Sequence, residues 1–154
     1  MTIIAALTRS HVIGIDDAMP WHIPEEYAHF LSVIKDKTVI MGRTSFASFG
    51  STLTSSHTIV VSRRENILPN AIVIRSIKEA IEVAQSYGKE IYIAGGAEIY
   101  EQIMPFADRM LLSYINGEYV GNKFFPQIGH EWKVLQRENR GKYELVEYCK
   151  SVRI

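Results

Sequence analysis

Residues 38–49 read TVIMGRTSFASF, and this stretch decides the fold. Residues 38–41 form a short apolar run rich in β-branched side chains, the pattern of a buried strand. Gly42 ends that run, and Gly42-Arg43-Thr44-Ser45 opens a helix over 44–49. A strand that feeds a helix is half of a βαβ unit. The same passage recurs on either side. Strand patterns fall at 2–7, 58–61, 71–74 and 90–94, and helical patterns at 25–34, 77–86 and 97–104. Such alternation predicts an α/β fold with a mostly parallel sheet. The last third departs from it. Residues 109–115, 131–137 and 143–153 read as strands without intervening helices, which predicts an antiparallel addition at one edge. No linker, repeat or low-complexity tract interrupts the chain, so residues 1–154 are expected to form a single domain.

Bulk properties narrow the function. With 47% hydrophobic and 22% charged residues the chain can bury a real core. Lys+Arg and Asp+Glu are both 17, so broad attraction to nucleic acid or an anionic membrane is not expected. An anionic ligand would need a local positive site. Apolar runs such as 58–61 are far too short to span a bilayer, and the N-terminus lacks the basic region of a secretory signal. The single Cys149 permits no intrachain disulfide and suits a reducing, cytoplasmic setting.

In open α/β sheets ligands sit beyond the carboxyl ends of the strands, so the residues after each strand matter most. After 38–41, Gly42 lets backbone N–H groups approach a phosphate at the start of a helix, and Arg43 adds a fork of donors. Ser62-Arg63-Arg64 follow the strand at 58–61, and Arg75 follows 71–74. Any one of these arginines could simply be solvated. As a set they suit an adenosine 2′-phosphate and so favour NADPH over NADH. Gly95-Gly96 follow the strand at 90–94, again permitting close backbone approach, although a Gly pair alone is more often a turn. The stretch GIDDAMPWHIP at 14–24 is long and irregular, which fits either a lid or a surface loop pinned by Trp21. In the helix that follows, Tyr27, Phe30, Leu31 and Ile34 form a buried stripe. Glu26 borders that stripe, whereas Glu25 points to water. Glu26 could be an ordinary first-turn acid favoured by the helix dipole. Beside an apolar pocket it would instead have a raised pKa, suited to acid–base work near neutral pH. There is no HExxH, GxSxG, GxGxxG or P-loop, and His11, His22, His29, His57 and His130 are scattered, so no metal site is expected.

Taken together, IIAALTRSHVIG, AMPWHIPEEYAHF, VIMGRTSF, IVVSRR, IYIAGGAEIYEQIMP and EYVGNKFFP resemble the dihydrofolate reductase family, in family order and over nearly the whole chain. The resemblance implies a central eight-stranded, mostly parallel sheet with an antiparallel C-terminal strand, flanked by about four helices. It implies a monomeric enzyme that reduces 7,8-dihydrofolate to tetrahydrofolate with NADPH. The cofactor would be held by Ala6, Ile13, Gly14, Met19, Gly42, Arg43, Thr44, Ser45, Ser62, Arg63, Arg75, Gly95, Gly96, Ala97 and Ile99, with a cis peptide between Gly95 and Gly96. Residues 14–24 would be a mobile lid supported by Gly121-Asn122, where many bacterial relatives carry aspartate in place of Asn122. Glu26 would accept hydrogen bonds from the pterin and promote protonation of N5, through water, before hydride arrives at C6. Trp21, Ser113 and Tyr100 would complete the catalytic group, with Ser113 bonding the Glu26 carboxylate directly or through water. Ile4, Ala5, Tyr27, Phe30, Leu31, Phe49, Leu53, Ala94 and Tyr100 would line the substrate. One departure stands out. Where the family has Gly-Arg-Pro-Leu-Pro-Gly-Arg, with the last arginine clamping the glutamate tail of folate, this chain has Gly50-Ser51-Thr52-Leu53-Thr54-Ser55-Ser56. Either another basic residue such as Lys35 reaches the tail, or the substrate is a tail-less dihydropterin or related pyrimidine.

Overall fold

The structure is a computed structural model and describes residues 1–64 and 67–150. In chain order its elements are β1 (Thr2–Thr8), β2 (Val12–Gly14), α1 (Pro24–Ile34), β3 (Thr38–Gly42), α2 (Arg43–Phe49), β4 (His57–Val61), β5 (Ile72–Ile74), α3 (Ile77–Ser86), β6 (Ile91–Ile93), α4 (Ala97–Ile103), β7 (Arg109–Ile115), β8 (Lys123–Phe124), β9 (Trp132–Asn139) and β10 (Tyr143–Lys150). Short 3-10 turns at Gly50–Thr52 and Met104–Phe106 extend α2 and α4.

Strand β3 explains the layering. Val39 and Met41 pack with Ile34 of α1 and Phe46 of α2, while Ile40 packs on the opposite face with Ala80 and Ala84 of α3 and Ile103 of α4. A strand that is apolar at every position is what a sheet covered on both faces requires. Helix α3 starts where Ser76 Oγ accepts a hydrogen bond from the Glu79 backbone N–H at 3.2 Å. That arrangement satisfies one of the free donors of the first turn. Helix α1 has no such side-chain cap; it begins at Pro24, whose missing N–H costs nothing there.

Eight strands form one sheet in the order β5-β4-β3-β6-β1-β7-β10-β9. All pairings from β5 to β7 are parallel. The antiparallel part begins later than the sequence suggests. β7 pairs in parallel with β1, from Thr2↔Arg109 to Thr8↔Ile115, because α4 precedes it as a crossover helix. β10 is the strand that runs against both its neighbours. The strand predicted at 143–153 is present over Tyr143–Lys150, and 151–153 lie outside the described residues. A second sheet of two short strands, β2 and β8, was not anticipated. Two or three residues are too few to show a period of two. The outer strand β9 is exposed at every position after Trp132. Among the described residues no helix is long and apolar enough to cross a membrane.

Leu112 is fully buried in the centre of β7. Leu112→Ala should cost about 2–5 kcal/mol in urea unfolding with an unchanged m-value, because the rigid sheet cannot collapse into the cavity. A cost below about 1 kcal/mol would mean that this face repacks freely.

Candidate active site

The carboxyl ends of β1, β3 and β6 open onto a cleft of about 570 Å³. Ala6, Ile13, Gly14, Met19, Gly42, Arg43, Thr44, Ser45, Gly95, Gly96, Ala97 and Ile99 all line it. Two backbone bonds hold its base together. Ala94 N–H donates to Ile40 O at 2.9 Å, and Gly42 N–H donates to Gly95 O at 2.7 Å. The seam between β3 and β6 therefore continues past the last side chains of both strands. Gly95 has φ +100°, a left-handed value that favours glycine, and its peptide to Gly96 is cis. A Cβ on Gly95 would also lie 3.1 Å from the Tyr100 hydroxyl. That hydroxyl donates to Ile4 O at 2.7 Å, and burial drives its pKa upward, so Tyr100 is fixed as a donor to β1.

Trp21, Phe49, Ala94 and Tyr100 line the same cleft. Glu26 on α1 is not among the residues that line this cleft; it is buried to 6% exposure and near enough to Tyr100, which does line it, for its charge to add to burial in raising the Tyr100 pKa, while its neighbour Glu25 is exposed. Burial raises the Glu26 pKa, and a hydrogen bond from Ser113 on β7 opposes the rise only in part. Ser113 is itself buried and sits beside Ala6 of β1. Ile4 and Ala5 are buried in β1. Tyr27, Phe30 and Phe49 form an aromatic cluster between α1 and α2, with ring centroids 5.7–6.4 Å apart. Leu31 and Leu53 pack against the core behind it.

The stretch 14–24 is tied down at both sides. Asn122 Oδ1 accepts from Asp16 N–H at 2.8 Å, its Nδ2 donates to Asp16 Oδ1 at 3.1 Å, and its N–H donates to Gly14 O at 3.0 Å. An amide thus makes a reciprocal pair with an acid, which a carboxylate at that position could not complete. On the far side Ser48 of α2 donates to Asp17 O at 3.2 Å. Trp21 is buried edge-on to Tyr119 at 5.6 Å, with its Nε1 unpartnered among the described residues.

Ser62, Arg63 and Arg75 lie outside the main cleft. They emerge side by side, because Val61 pairs with Ile74 and Ser62 N–H donates to Ile74 O at 3.0 Å. At the tail position Ser56 is exposed and its N–H donates to Lys37 O at 2.9 Å. Lys35, just past α1, is also exposed. Sequence reasoning missed Lys123, Asp17, Ser48 and Glu98, which line the cleft. Lys123 faces Gly14 only through the β2–β8 pairing, for which the sequence carries no periodic signal.

A mostly parallel α/β sheet with a glycine-edged cleft over its carboxyl ends, and a desolvated carboxyl on the neighbouring helix α1, fit the architecture of an α/β oxidoreductase. Residues 1–152 match the family model described as dihydrofolate reductase. The chain is 36% identical over 148 residues to a dihydrofolate reductase of Haemophilus influenzae, covering 96% of this chain and 92% of that one. It is 31% identical over 150 residues to that of Bacillus subtilis, covering 96% and 89%. The fold matches a dihydrofolate reductase from Enterococcus faecalis, solved in complex with NADP(H) and RAB-propyl, with a TM-score of 0.86 at 22% identity, covering 98% and 96%. The chain belongs to the dihydrofolate reductase family.

A Cβ at Gly121 would lie 2.4 Å from Gly14 O and 2.4 Å from Val12 Cγ1. Gly121→Ala should therefore push β8 off β2 at a cost of about 1–3 kcal/mol. Amide hydrogen exchange across residues 12–18 should rise about tenfold, and unchanged exchange would show that the two strands yield without loosening.

Proposed function

We propose that this chain reduces 7,8-dihydrofolate to 5,6,7,8-tetrahydrofolate with NADPH. The observation that carries the reading is Glu26, a buried carboxyl with a raised pKa and a hydroxyl partner in Ser113, near Tyr100 of the cleft. A pterin ring presents two donors, its 2-amino group and N3–H, that such a carboxylate accepts. NADPH supplies the hydride when bound. The residues present fit it. Gly42, Gly95 and Gly96 admit backbone approach, Ala6, Ile13, Met19 and Ile99 offer an apolar face, and Arg43 stands at the start of α2. Ser62, Arg63 and Arg75, adjacent at the ends of β4 and β5, suit an adenosine 2′-phosphate.

The chain's own groups then divide the work. Ile4, Ala5, Phe30, Phe49 and Ala94 hold the pterin against the cofactor cleft, and this positioning is the largest contribution asked of the protein. Tyr100 holds the β1 backbone through Ile4. Trp21 and the lid at 14–24 exclude bulk water. Glu26, whose pKa burial raises, promotes protonation of N5, and the proton reaches N5 through water as C6 takes the hydride. Overall, one dihydropterin, one NADPH and one proton give tetrahydropterin and NADP⁺.

A second reading rests on Ser56. Hydroxyls fasten the 52–54 loop to α1: Tyr27 with Thr52, and Thr54 to Leu31 O at 2.5 Å. None of these groups replaces a bidentate arginine. Its absence should cost about 1.5–3 kcal/mol of tail binding, or roughly 10- to 150-fold in affinity. The substrate is then a tail-less dihydropterin, unless Lys35 reaches the tail.

NADPH absorbance decides between them, with 7,8-dihydrofolate and a tail-less dihydropterin run side by side. Equal kcat/KM for both supports the tail-less substrate. A clear preference for dihydrofolate shows that the tail is gripped without Ser56, and Ser56→Arg should then gain little. Glu26→Gln should lower turnover about 10²- to 10⁴-fold at pH 7. Wild-type kcat/KM should fall as pH rises through the raised Glu26 pKa. The same shift has a stability consequence. A raised carboxyl favours folding below its unfolded pKa and loses that contribution as pH rises through the folded pKa. Glu26→Gln should thus melt higher than wild type at neutral pH, with the difference gone at pH 4. Turnover of neither substrate overturns the proposal.

A further inference from the structure

We infer that the turn between β9 and β10 is a clamp that sets Glu26 against Ser113, with Arg140 and His29 as its positioning residues. The inference rests on the reading of Glu26 as the working acid.

Glu26 and Ser113 stand on different elements, α1 and β7, that are not neighbours in the chain. Helix α1 has little of its own to fix its start, because Ile23 caps it with no side-chain bond. The β9–β10 turn touches both elements. It is internally rigid: Arg140 N–H donates to Tyr143 O at 2.9 Å, and Gly141 N–H donates to Asn139 Oδ1 at 2.8 Å. Gly141 takes φ +84° to allow this. Asn116, the residue directly after β7, holds the turn with both its donors, N–H to Lys142 O at 3.0 Å and Nδ2 to Gly141 O at 2.6 Å. Toward α1, Arg140 Nη1 donates to His29 Nδ1 at 3.0 Å, and Lys142 Nζ lies 3.7 Å from Glu25 Oε1. Glu138 Oε2 at 3.1 Å and the Tyr143 hydroxyl at 3.5 Å aim the guanidinium. Asn116 is three residues from Ser113, and His29 is three residues from Glu26. One turn therefore fixes the spacing of the two polar groups that meet in the wall.

The Arg140–His29 joint has a defined protonation state. A guanidinium only donates, so Nδ1 of His29 must be an acceptor and its proton sits on Nε2, which is buried without a partner among the described residues. The charged and titratable groups around this joint are Arg140, Glu138 and Tyr143 from the hairpin, Lys142 beside Glu25, and Glu25 and Glu26 on α1 itself. Burial first and Arg140 second push the His29 pKa down, with Glu138 opposing them. The joint is therefore intact at neutral pH. It breaks as pH falls through the lowered His29 value, when two cations would face each other at hydrogen-bond distance.

The test compares three variants. Arg140→Ala removes the clamp, Arg140→Lys keeps one donor, and His29→Gln keeps an acceptor that does not titrate. The Glu26 carboxyl is titrated by ¹³C NMR in the free protein, and kcat/KM is followed against pH. With Arg140→Ala, water should reach Glu26 and lower its pKa by about half a pH unit or more. Turnover should drop about three- to tenfold, with NADPH affinity unchanged. Arg140→Lys should recover at least half of both effects. His29→Gln should match wild type at pH 7 and lack the acid-side loss that wild type should show as pH falls through the lowered His29 value. Identical Glu26 titrations in wild type and Arg140→Ala overturn the clamp whatever the reaction is. An acid-side loss that persists in His29→Gln overturns the part given to His29. A shifted Glu26 titration with unaltered turnover upholds the clamp and instead removes Glu26 from the chemistry.

Discussion

Taking the Glu26 carboxyl out of water costs free energy that its one hydroxyl partner, Ser113, offsets only in part. The elements around it are arranged to keep that group both dry and aimed. β1 and β7 are largely buried, Tyr100 ties to β1 through its bond to Ile4 O, and the Tyr27, Phe30 and Phe49 rings cluster between α1 and α2. An apolar residue at position 26 would give a more stable protein and no acid. The site thus holds a local destabilisation that the two-sided core of β3, β1 and β7 is large enough to carry.

Much of this was legible in the sequence because it obeys short-range rules. The unbroken apolar run at 38–41 requires cover on both faces, and the structure supplies it. Gly42 and the Gly95-Gly96 pair mark strand ends where a backbone must come close, and they do lie on the cleft. Glu26 at the border of the α1 stripe is buried, and Glu25 is not. What stayed hidden depends on distance in sequence. β2 and β8 are too short for periodicity, so Lys123 could not be seen to face Gly14. The direction of β7 depends on α4 as its crossover rather than on anything within 109–115. His29 looked like one of five scattered histidines, and its ring finds a hydrogen-bond partner in the turn at 139–143, more than a hundred residues away.

Asn122 shows how one atom's difference matters at such a contact. Its amide both donates to and accepts from Asp16, so the 14–24 loop is held by a neutral group meeting an acid. Two carboxylates in the same places would repel each other and lose one of the two bonds. The loop's second tie, Ser48 to Asp17 O, comes from α2, so the same short segment is held from both sides.

The edges of the main sheet also bear on how the molecule behaves in a crowded solution. β5, at one edge, is only three residues long. β9, at the other, exposes Lys133, Arg137 and Glu138 along its length, and a bulge at Glu147/Tyr148 bends the ladder that supports it. Very short strands, charges and bulges are the devices that stop one sheet from templating another. The sheet therefore ends on both sides in a form that does not invite a strand from a second molecule, and Val134 and Leu135 can stay exposed without seeding fibrils.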